Sequence, residues 1–147
     1  MKNKLKLAML CTMLIGASIT KAQNSLSLNL FDNYSNTINC PISELDKIFN
    51  LNQGNAVTLS LSANTNLTGT IGTSVQRYAN LKSVVIKLNG LQGAIFNISK
   101  RTNADNTITY VGRIINERFA DGYELIKDAT GYLLTKIKTD DVMQDHN

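Results

Sequence analysis

A chain of 147 residues, 43% hydrophobic and 18% charged, is long enough for one well-buried domain and short for two. Its formal charge of +4 belongs to the first 22 residues, where Lys2, Lys4, Lys6 and Lys21 face no acid; the other 125 hold 11 basic and 11 acidic residues. Neutrality there argues against nucleic acid or an anionic membrane surface as partner, since both are held through an excess of Lys and Arg.

The first element in chain order is a targeting segment. Lys2, Lys4 and Lys6 precede the apolar run Leu7–Ile19, and Thr20 and Ala22 supply the small residues before a cut expected between Ala22 and Gln23. The run has 13 residues, whereas a membrane-spanning helix needs about 20, so the segment reads as a cleaved secretory signal that leaves no stable membrane anchor. Residues 1–22 are thus expected to be lost on export to the periplasm or medium, and residues 23–147 to form one β-rich domain with a polar C-terminal tail from about 139. Cleavage removes Cys11 and leaves Cys40 alone, so an internal disulfide is excluded. The single histidine, His146, stands next to the last residue, which gives that thiol no base close in sequence; a buried apolar role is expected for it.

A strand is possible near Ser25–Leu30. One helix follows. Pro41 suits a first turn, Ser43 a cap, and Glu44 and Asp46 the positive end of the dipole. Leu45, Ile48 and Phe49 recur on one face, and Gly54 lies past the expected end.

From Ala56 onward the period is two. Val57, Leu59 and Leu61 alternate with Thr58, Ser60 and Ser62, and the pattern returns in LTGTIG, SVVIKL, AIFNIS, TITYVGRII, GYELIK and YLLTKIK. Asparagine, 17 of the 125 residues after the signal, occupies turn positions that Pro and Gly would otherwise hold. These seven segments and one short helix predict an all-β domain, a mainly antiparallel small barrel or sandwich. The segments Ala94–Lys100 and Thr107–Ile115 are expected to pair across Asn103–Asn106, with Phe96, Ile98, Ile108, Tyr110 and Ile114 inside. Asp128–Gly131 should turn the last pair.

Functional signals are sparse. Asn103, Asp105 and Thr107 alternate like calcium-loop ligands, but Ile114 stands where such a loop needs its bidentate acid, so a plain hairpin turn is the better reading. Arg101 and Arg113 could come onto neighbouring exposed positions of that hairpin, with Arg118 nearby. They are the candidate binding residues, suited to a carboxylate or phosphate. Glu117, Asp121 and Glu124 cluster in sequence, which leaves an acid pair for glycoside cleavage formally open. No nucleophile–base pair, metal cluster or cofactor motif is present, and neither a cofactor nor a metal is expected. The stretch Ser43–Lys138, above all GAIFNISKRTNADNTITYVGRII and DGYELIKDATGYLLTKIK, resembles small exported bacterial proteins of uncharacterised function, a resemblance that implies no activity. The helix followed by AVTLSLSANTNLTGTIG is similar to the opening of Sm-like barrels, at the level of fold alone. The expectation is a non-enzymatic binding module for a protein, peptide or cell-envelope component. The alternatives are an inhibitor of a secreted or envelope enzyme and a small carboxylate-dependent hydrolase.

Overall fold

The computed structural model describes residues 28–139, so the expected signal, the cleavage site and the tail beyond Thr139 lie outside the described residues. Eight strands and one helix follow in chain order: β1 (Thr37–Cys40), α1 (Ile42–Phe49), β2 (Ala56–Ser62), β3 (Thr65–Tyr78), β4 (Leu81–Leu88), β5 (Ile95–Thr102), β6 (Ile108–Ile115), β7 (Asp121–Lys127) and β8 (Tyr132–Lys138). All seven predicted segments are strands. The eighth, β1, is the short TINC stretch, whose two inward residues are too few to show as an alternating run. Of the strand considered near Ser25–Leu30, the described part, 28–30, is not in a strand.

Every pairing is antiparallel, and the strands form one sheet in the order β1-β8-β7-β6-β5-β4-β3-β2. The outermost strands, β1 and β2, approach each other, which curls the sheet into a nearly closed barrel. One residue of each pair along a strand points inward. The interior therefore collects Val57, Leu59 and Leu61 of β2, Val84 and Ile86 of β4, Phe96 and Ile98 of β5, Ile114 of β6, Tyr123 of β7 and Leu134 of β8, all buried. Each such side chain stabilises the fold by about 1.5–3 kcal/mol.

Helix α1 covers one end of the barrel with Leu45, Ile48 and Phe49, as its spacing predicted. Its cap differs from expectation. Pro41 takes the N-cap position and offers no side-chain acceptor to the first-turn amides, and Ser43 lies inside the first turn instead of capping it. The Glu44 carboxylate ties that turn to β2 by accepting from the Ser60 amide at 2.9 Å and from Lys47 at 2.8 Å. At the other end of the helix, Lys82 of β4 donates to the Phe49 carbonyl at 2.7 Å, satisfying a group that the helix cannot pair itself.

The segment 28–36 closes the opposite end. Asp121, at the start of β7, accepts from the amides of Leu30 (2.6 Å) and Phe31 (2.9 Å). Lys136 of β8 donates to the carbonyls of Phe31 and Tyr34, and the Tyr123 hydroxyl to that of Ser35. Phe31 itself is buried edge-on against Tyr123, with ring centres 5.0 Å apart. Thr139, where the polar tail was expected to begin, is buried and donates its hydroxyl to the Phe119 carbonyl.

The β5–β6 hairpin has the expected register, with Phe96 opposite Ile114 and Ile98 opposite Gly112. Phe96, Ile98, Tyr110 and Ile114 are buried, but Ile108 is 39% exposed and corrects the expected core. The cause lies in the neighbouring ladder. Pairing of β6 with β7 begins only at Gly112, so the first half of β6 projects past the barrel wall with β5 as its one partner strand. Tyr110, at the rim, uses the hydroxyl of Tyr132 as acceptor for the amide that a continued ladder would have bonded. Strand β3 overhangs in the same way: β2 pairs with it only as far as Thr70, and from Thr73 to Tyr78 it has β4 alone.

Candidate functional site

The three candidate arginines do not form one site. Arg113 faces outward on β6 and donates from Nε and Nη2 to one oxygen of Glu124, directly across the ladder on β7, at 3.0 and 2.8 Å. Arg101 stands opposite Thr109, whereas Arg113 stands opposite Asn97, so register places them at opposite ends of the hairpin face. The expected neighbouring pair is thereby corrected: the apolar pattern defined which face the two share, but not their separation along it. Arg118 belongs to the turn between β6 and β7.

The three acids are likewise separated in role. Asp121 is buried as the anchor of segment 28–36, Glu124 is paired with Arg113, and Glu117 lies exposed on the β6–β7 turn. Asp105 spends its Oδ1 on the turn, accepting from the Thr107 amide at 3.0 Å and the Thr107 hydroxyl at 2.6 Å, and these bonds hold its carboxyl below the usual carboxylate range. Asn106 completes the reversal with φ +63°, a left-handed geometry that Asn tolerates. The hairpin reading accounts for all these contacts. Cys40 is buried between β1 and the core, and loss of solvation pushes its thiol up to about 12.

At the helix-covered end, a polar cluster unforeseen from sequence sits on the rim. Lys100 of β5 and the Tyr110 hydroxyl both donate to Oδ1 of Asp46 at 2.5 Å. The Lys100 bond first, and the Tyr110 bond second, hold the Asp46 carboxyl below its ordinary value; burial and the same carboxylate push the Tyr110 hydroxyl up. Lys82 and Lys100 are direct cross-strand partners, and with Phe49, Asn50, Gln76, Asn80 and Thr102 they line an open depression of about 220 Å³. The signal that could have found them is parity. Lys82 continues the inward series of Val84 and Ile86, and Lys100 that of Phe96 and Ile98. Their fold roles, capping α1 and pairing with Asp46, account for both lysines.

The surviving candidate, Arg118, lies in a second depression of about 380 Å³. Its floor is the cross-strand pair Ile95 and Ile115. One wall is the β4–β5 loop, where Gln92 adopts φ +49° and Gly93 φ +91°. The other wall is the β6–β7 turn, Asn116 to Arg118. The walls are joined at one atom: the Gln92 carbonyl accepts from Asn116 Nδ2 at 3.0 Å and from Arg118 Nη2 at 2.5 Å. Asn116, itself buried, accepts from the Arg118 amide at 3.1 Å and so fixes the start of the turn. A left-handed conformation is unfavourable for a residue such as Gln. Here it is held by two side chains from the facing turn, which makes the pocket a preformed feature of the fold.

No protein-family model, curated protein or solved structure matches this chain, so the likenesses drawn from its sequence rest on the quoted residues alone.

Proposed function

We propose that the chain is an exported, non-enzymatic binding module whose partner is a protein, peptide or cell-envelope component. One observation carries this reading over hydrolysis: the acids grouped in the sequence are put to separate uses. Asp121 latches segment 28–36 and Glu124 neutralises Arg113, which leaves Glu117 without a second carboxylate on its own pocket. A hydrolytic pair needs two carboxyl groups facing one substrate. What the surface offers in their place is a preformed pocket beside Arg118. Export is supported by the order of charge, apolar run and small residues in 1–22.

The test is retention of a component from an envelope extract of the producing cells on immobilised protein. Binding should saturate and be competed by the soluble domain. Turnover of a glycoside or ester substrate that Glu117→Gln abolishes would overturn the reading in favour of the hydrolase.

The inhibitor alternative is favoured by one feature, the overhanging β3–β4 hairpin, whose tip presents Tyr78 at 70% exposure. Inhibition of a secreted hydrolase that is lost in Tyr78→Ala would support it.

A further inference from the structure

The pocket between the β4–β5 loop and the β6–β7 turn combines three chemistries within one small volume. Its floor, Ile95 and Ile115, is aliphatic and half-buried. Its rim carries the Arg118 guanidinium, which has committed one of its five N–H donors to Gln92 and keeps the others for a ligand. Beside it stands the Glu117 carboxylate, for which no hydrogen bond or ion pair exists among the described residues. A volume of about 380 Å³ falls at the lower end of the range of ligand pockets, roughly 300–1,000 Å³, which suits a small molecule.

We propose that this pocket binds a free aliphatic α-amino acid, its carboxylate on Arg118, its ammonium on Glu117 and its side chain on Ile95 and Ile115. Each part of the ligand answers one part of the site. A planar guanidinium with several free donors recognises a carboxylate by paired hydrogen bonds. An unpaired carboxylate next to it selects against a purely anionic ligand and for a zwitterion. The aliphatic floor distinguishes a branched side chain from glycine by the area removed from water. The Gln92 clamp contributes by geometry. Gly93 lies within 4.0 Å of the Arg118 guanidinium, measured from where a Cβ would stand, so the arginine is drawn across the loop and its position is set before the ligand arrives. Pre-positioning lowers the ordering cost of binding. With both charged groups solvent-exposed, the affinity is expected in the millimolar to upper micromolar range.

This inference rests on the binding reading above but is tested separately from it. The 15N-labelled protein is titrated with L-leucine, L-leucinamide, N-acetyl-L-leucine and glycine, and amide shifts are followed. L-leucine should give saturable shifts centred on Gln92, Gly93, Ile95, Asn116 and Arg118. Removing the carboxylate (leucinamide), the ammonium (N-acetyl-leucine) or the side chain (glycine) should each weaken binding roughly tenfold, the scale of one lost charged or apolar contact. Arg118→Met should weaken leucine by a similar factor. Because Arg118 also holds the Gln92 loop, Glu117→Gln provides a second variant that breaks no bond of the fold; it should weaken leucine and strengthen N-acetyl-leucine, the anion that the Glu117 carboxylate disfavours. Absence of saturable shifts overturns the proposal. Equal binding of leucine and N-acetyl-leucine would overturn it as well, and would assign the pocket to the C-terminal carboxylate of a peptide. A saturable envelope partner found while leucine fails would sink this inference and leave the binding module standing.

Discussion

At Gly112 the absence of a side chain is what lets the barrel close around Phe96. A Cβ at that position would stand 2.8 Å from the Asn97 carbonyl oxygen and 3.0 Å from the edge of the Phe96 ring. Replacing a strand glycine normally gains about 0.5–1 kcal/mol of backbone entropy. Overpacking against backbone costs about 1–3 kcal/mol and outweighs that gain. Gly112→Ala should therefore lower the melting temperature; a rise would mean that the ring and the carbonyl move aside at no cost. Asp46 makes a pH-dependent contribution whose sign follows from its partners. Lys100 and Tyr110 hold its native pKa below the unfolded value of about 3.9, so the folded state is favoured above that value. That stabilisation is lost as the pH falls through the native value. The Lys100–Asp46 pair is partly exposed, which keeps the effect to about 1 kcal/mol or less. Asp46→Asn should melt lower than wild type at neutral pH, and the gap should close on acidification below about pH 4. A gap independent of pH would show that the loss comes from packing and not from the carboxylate.

At the scale of the element, strands and turns divide the stabilisation unequally. Phe96 is fully buried near the start of β5, and Phe96→Ala should cost about 3–5 kcal/mol, a large share of the stability of a small domain. Asp105 is exposed and bonded only within its own turn, so Asp105→Ala should cost about 1 kcal/mol or less in chemical denaturation. The same device recurs at the β7–β8 turn, where Asp128 accepts from the amide and hydroxyl of Thr130 and from the Gly131 amide. If calcium raised the melting temperature of wild type but not of Asp105→Ala, the β5–β6 turn would be a metal loop and its reading as plain chain reversal would fall. The strands that were legible in sequence are those with one wet face, because alternation is visible only there. Strand β1 was missed because Ile38 and Cys40 give just two inward residues before Pro41 ends the pattern. The overhang of β3 was missed because Thr73–Tyr78 has no buried face to mark it, and Ile108 was misplaced because alternation does not report where the barrel wall stops.

For the molecule as a whole, sequence pattern alone left barrel and sandwich open, since both place alternate residues of each strand in a core. What separates them is the order of strands in one sheet, set by hairpin registers and by the return of β1 to the side of β8. The pocket beside Arg118 was illegible for a related reason. It depends on Ile95 meeting Ile115 across a ladder and on a left-handed Gln92, neither of which is written in a short motif. The proposed export concerns the entire chain. Protein recovered from periplasm or medium should begin at Gln23 by N-terminal sequencing or intact mass, as Thr20-Lys21-Ala22 requires. A recovered chain starting at Met1, or one carrying lipid on Cys11, would overturn the assignment.

The hydrogen bonds around Ala120 have a topological consequence. Its amide donates to the Leu28 carbonyl at 3.0 Å, and its carbonyl accepts from the Thr139 amide at 2.8 Å, so both ends of the described domain meet at a single residue. Such proximity means that the order in which the strands are threaded is separable from the barrel they build. A circular permutant that joins Leu28 to Thr139 through a short glycine–serine linker and opens between Ala104 and Asp105 should fold to the same barrel. Its circular dichroism should match that of the parent, with stability reduced by roughly the loss of one turn. A permutant that stays unfolded would mean that the β5–β6 reversal must be covalently intact for the barrel to form.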